Sequence, residues 1–135
     1  MTFRIQHLDQ IAREEGRDVI GITFINKGIG CANDYKGWPE RIDLLEWFEE
    51  NDIIAYPCAD VADEGCMTAY NGQLYIDIPV DETDPDYIKI QKHLKNTDGT
   101  MRHPDVVLCH LPLEVAIANR HHDEPGFWDE WAKTF

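Results

Sequence analysis

The dipeptide Asn71-Gly72 separates two runs of strand-forming residues. Such a pair tolerates positive φ at both central turn positions, so it closes tight hairpins between twisted strands. Residues 66–70 and 73–80 are the two expected arms. In the second arm Leu74, Ile76, Ile78 and Val80 alternate with Gln73, Tyr75 and Asp77. That alternation predicts a strand with one buried face. A chain that must hold this hairpin needs further strands or helices to cover its apolar side.

Those partners are present. Residues 18–25 are almost wholly apolar and β-rich, which predicts a buried strand. Residues 53–58 and 106–111 read as two more strands. Helices are expected over 3–15 (capped by Thr2 and stopped by Gly16), from Pro39 to about Asn51, from Pro85 to about Leu94 with Ile88 and Leu94 inside, after Pro112, and over the last nine residues. The order strand–loop–helix–strand between residues 18 and 58 suggests a crossover between parallel strands. The expectation is an α+β fold: a mixed sheet of about five strands with the hairpin at 66–80, flanked by four to five helices. With 135 residues, 1–135 reads as a single acidic globular domain.

Charge narrows the possible partners. Asp and Glu number 26 against 12 Lys and Arg, a formal net charge of −14. Nucleic acid and anionic membranes repel such a chain, so neither is expected as a direct partner. A basic protein partner is expected instead. The charge is also local. Residues 40–64 hold nine acids and one base, Arg41. At about 100° per residue, Ile42, Leu44, Leu45 and Phe48 share one helical arc, and Glu40, Asp43, Glu46 and Glu50 the opposite one. Trp47 projects among those carboxylates. The candidate partner-binding residues are therefore Glu40, Asp43, Glu46, Trp47, Glu50, Asp60, Asp63 and Glu64. The plainer alternatives are that the acids only solvate the protein and that Trp47 edges the core. Phe127, Trp128, Trp131 and Phe135 share a second helical face, where the ordinary expectation is core packing.

Catalytic signals are weaker. Cys109, His110, His121 and His122 have side chains that suit zinc, but their spacing fits no metal motif. Cys31 lies in a glycine-rich loop after a strand, where His110 is a conceivable base. Buried, inert cysteine is the commoner situation. Lys27-Gly28-Ile29-Gly30 follows a strand but completes neither phosphate-binding glycine motif. No cofactor is expected. The N-terminus has no apolar leader, no run is long enough to span a bilayer, and no CxxC pair occurs, so a reduced cytoplasm is the expected compartment.

The expected function is a non-catalytic acidic binding or inhibitor protein that engages a basic partner, such as a nuclease. Immunity proteins and DNA mimics are the analogy, by charge and size and not by motif. A small Cys/His enzyme or metal-binding protein, and an accessory subunit, are the alternatives.

Overall fold

A computed structural model describes residues 5–25, 34–62, 70 and 72–134. In chain order the elements are α1 (Leu8–Glu15), β1 (Val19–Phe24), α2 (Pro39–Glu50), β2 (Ala55–Pro57), β3 (Leu74–Ile76), α3 (Pro85–Leu94), β4 (Val106–Leu111), α4 (Leu113–Ala118) and α5 (Phe127–Ala132). Among the described residues the sheet has four strands in the order β2-β3-β1-β4, every pair antiparallel. The fold is thus α+β; among the described residues four strands stand where about five were expected, and the one parallel bridge, between His7 and Ala59, lies outside the strands.

Both edges of β3 are taken, one by β1 and the other by Ala55–Pro57 of β2. Residues 63–69 and Asn71 lie outside the described residues. Gly72 does adopt the positive φ expected of it, 86°. A Cβ there would also sit 2.7 Å from the Tyr35 Cβ. β1 and β2 run in the same direction, as the crossover reading required, but β3 lies between them. The β1-α2-β2-β3-α3-β4 order with this strand arrangement is the split β-α-β connectivity of ferredoxin-like sheets.

Helices cover both faces of the sheet. Ile20, Ile22, Phe24, Leu74, Ile76 and Val106 meet Leu44 and Phe48 of α2 and Ile90 and Leu94 of α3. On the other face Val19, Tyr75 and Leu111 meet Leu8, Ile11 and Ala12 of α1 and Ala116 of α4. This is why residues 18–25 carry so little polarity. It also corrects the one-sided reading of the hairpin arm, because Tyr75 is as buried as its neighbours. Gly21 lets α1 approach: a Cβ there would meet the Leu74 carbonyl oxygen at 3.1 Å and a Leu8 methyl at 3.4 Å.

Helix starts follow their signals. Pro39 and Pro85 occupy first turns, and the Asp84 carboxylate accepts the Tyr87 amide at 3.0 Å. The first helix begins at Leu8 and not at residue 3, because the backbone before it is paired elsewhere. Ala59 N–H donates to the Gln6 carbonyl, and Leu8 N–H donates to the Ala59 carbonyl. The inner faces of two helices are also rotated from expectation. Ile42 and Ile88 are 39% and 38% exposed, whereas Arg41 and Ile90 are buried. No described helix is long and apolar enough to cross a membrane.

Candidate functional site

The acidic segment begins on α2, which Pro39 starts and Asn51 ends. Its single base points inward. Arg41 is 8% exposed; its Nε donates to the Gly72 carbonyl at 3.0 Å, and its guanidinium lies 4.9 Å from the Tyr35 ring centre. Asp43, Glu46, Glu49 and Glu50 are exposed, as are Asp52 and Asp60 beyond the helix. Glu40 is half-buried. Asp63 and Glu64 lie outside the described residues. The outer surface of α2 therefore carries carboxylates with no Lys or Arg of its own to offset them.

Trp47 is only half-exposed to that surface. Its ring packs on the core and stacks on His93 of α3, with centres 4.0 Å apart and planes 10° apart. This contact joins the two helices of the layer. Burial, and then the charge of Arg102, hold the His93 pKa below its ordinary value. Lys89 and Lys92 are exposed on α3, so the layer is acidic along one helix and basic along the next.

The Cys and His candidates are dispersed. Cys31 lies outside the described residues. Cys109 and His110 occupy opposite faces of β4, as strand alternation requires. Cys109 faces Thr23, 3.8 Å between sulfur and oxygen. His110 bonds Asp18 at 3.0 Å, and Asp18 also accepts the Leu113 amide at 2.8 Å. That amide first, and His110 second, hold the Asp18 carboxyl below its usual range. The pair thus tethers the start of α4 to the head of β1. His121 and His122 do meet, with ring centres 3.9 Å apart, and the His122 Nδ1 lies 2.9 Å from the Asn119 carbonyl oxygen. Among the described residues no group of three or more His, Cys, Asp or Glu side chains is arranged to hold a metal. Cys58 is buried, which pushes its thiol up to about 12 and keeps it protonated.

The sequence reading missed a buried polar cluster beneath α1. Asp9 is fully buried, yet all its acceptors are used. It accepts the Ala62 amide at 2.9 Å, Arg13 at 2.7 Å and the Asn119 amide at 2.7 Å. Burial alone would raise the Asp9 carboxyl; those three donors outweigh it and hold the pKa below the ordinary 3.8. Arg13 also makes a two-pronged contact with Asp123, both arms 2.6 Å. One signal was available. Asp9 and Arg13 are an i,i+4 acid–base pair flanking the apolar Leu8, Ile11 and Ala12.

Beside this cluster a cavity of about 770 Å³ opens between α1, residues 122–126 and α5. Gln10, Arg13, Glu124, Trp128, Asp129 and Trp131 line it. Trp128 stacks with His7 and with His122, at 5.8 and 5.3 Å between ring centres, each with planes 21° apart. The C-terminal aromatics therefore pack on one another and on the mouth of this cavity. Phe127, Trp128 and Trp131 are half-buried, and α5 buries no residue fully.

Compared with family models, curated proteins and solved structures, the chain matches none.

Proposed function

We propose that the chain is a non-catalytic binding protein that engages a basic protein partner through the carboxylates of α2 and the segment after it. The observation that carries this reading is the inward turn of Arg41. It removes the segment's one positive charge from the surface and leaves Asp43, Glu46, Glu49 and Glu50 exposed together. With no exposed Lys or Arg of α2 among them, these carboxylates can each pair directly with a basic side chain of a partner, the arrangement that steers a positive surface into contact. A partner evolved to hold phosphates, such as a nuclease, presents such a surface. An immunity or DNA-mimic role in the cytoplasm is the specific form of this proposal. The net charge of −14 argues in the same direction against nucleic acid or anionic lipid as the ligand.

The test compares the wild type with the Asp43→Lys, Glu46→Lys, Glu50→Lys triple variant as baits. Each is used to capture proteins from the native host at about 50 mM salt, followed by association kinetics on the captured partner. The expected partner is basic, is released as salt rises, and associates at least about tenfold more slowly with the triple variant. Equal rates for the two baits would remove the acidic-face reading.

A further inference from the structure

The cavity between α1 and α5 lies on the opposite face of the sheet from α2, so its chemistry stands apart from the acidic helix. Its volume of about 770 Å³ falls inside the range of about 300–1,000 Å³ common to small-molecule sites. Two kinds of lining group meet there. Trp128 and Trp131, set edge to face with centres 5.5 Å apart, form an aromatic wall in which Trp128 is itself stacked on His7 and His122. Glu124 and Asp129 supply exposed carboxylates that make no hydrogen bond or ion pair with any described residue.

The one Lys or Arg among the described lining residues does not oppose that charge. Arg13 gives its Nε and Nη2 to Asp123 and its Nη1 to Asp9, so two carboxylates already match its single positive charge. An anion entering the cavity would have to displace one of them. A cation meets two unmatched carboxylates and a negative local field. The aromatic wall supplies apolar surface for the body of such a ligand.

We propose that this cavity binds a small organic cation: an amine or quaternary ammonium group carried on an apolar body. The body lies against Trp128 and Trp131, and the charged end meets Glu124 and Asp129. Neutral molecules of the same shape gain only the aromatic contact, and carboxylates of the same shape are repelled.

Three probes of nearly equal shape separate these outcomes: phenethylammonium, 2-phenylethanol and phenylacetate. Each is titrated into the full chain while the indole N–H resonances of the four tryptophans are followed. Phenethylammonium is expected to shift the Trp128 and Trp131 signals and leave Trp47 unmoved. It should bind at least about tenfold more tightly than the alcohol, and phenylacetate should not bind. The Glu124→Gln, Asp129→Asn double variant changes only exposed side chains. It should bind the amine and the alcohol alike. Equal affinity for amine and alcohol in the wild type, tighter binding of phenylacetate, or no shift at Trp128 and Trp131 up to millimolar amine would each overturn the proposal.

Discussion

The two helical layers on either side of the sheet use charge in opposite ways. Between the sheet and α2/α3 the contacts are apolar; Asp43, Glu46, Glu49, Glu50, Lys89 and Lys92 stand outside, Glu40, Asp84 and Asp86 are half-buried, and Arg41 is buried. Between the sheet and α1/α4 the apolar cluster is smaller, and a charged pair is drawn inside with Asn119 to complete it. One layer is thus held by surface removed from water. The other depends in addition on a few directional bonds that have no substitute once broken. On the first layer the exposed carboxylates of α2 stand outside an apolar interior, whereas on the second the buried carboxylate of Asp9 is part of the interior itself.

That contrast can be broken at its strongest point first. Asp9→Ala leaves the Ala62 amide without its acceptor, the Asn119 side chain with only the Ala62 carbonyl, and Arg13 with one carboxylate. It should cost about 3–5 kcal/mol in denaturant unfolding. A loss below about 1 kcal/mol would mean the second layer is held by its apolar contacts alone. On the α2/α3 side a comparable side-chain bond is the Asp84 cap, which is only partly buried. Asp84→Ala should cost about 1 kcal/mol, seen as a small fall in the unfolding midpoint.

The smallest effect sharpens the comparison by pH. His93 titrates below its ordinary value of 6.5 in the folded chain, so its contribution is present above 6.5 and is lost as pH falls through the folded value. Asp9 is depressed below 3.8, so its contribution is lost only as pH falls below that range. The two layers should therefore weaken in different windows, the α2/α3 layer first. His93→Phe keeps a ring against Trp47 and removes the proton. Its unfolding midpoint relative to wild type should rise as pH drops from about 7.5 to about 5.5. A constant difference across that interval would show that His93 plays no part in it.

Much of the layering was legible because local rules and burial agree there. The apolar run at 18–25 lies between two helical layers, Gly16 ends α1 in a left-handed conformation, and both prolines open helices. Strand pairing was not legible. Residues 53–58 and 66–70 both read as strands, and nothing local says which of them lies beside Leu74–Ile76. Helix rotation failed for a related reason. Ile42 and Arg41 lie 100° apart on the wheel, and hydropathy favours Ile42. The Gly72 carbonyl and Tyr35, distant in sequence, are what draw Arg41 inward. The Asp9 cluster was hidden for the same cause, since its partners come from two remote segments, Ala62 from one and Asn119 with Asp123 from the other.

The clasp from Arg13 to Asp123 spans 110 residues. Its consequence is one of timing. During synthesis α1 leaves the ribosome well before the residues that complete its polar underside. Until Asn119 and Asp123 arrive, Asp9 is better hydrated than buried, so α1 gains little by docking early. Loop-closure entropy must be met before the contact rewards it. The β1-α2-β2-β3-α3-β4 portion can assemble first, and α1 is then locked by segments made after it. A chain cut short before residue 119 should keep its sheet and α2/α3 layer while leaving α1 unfastened.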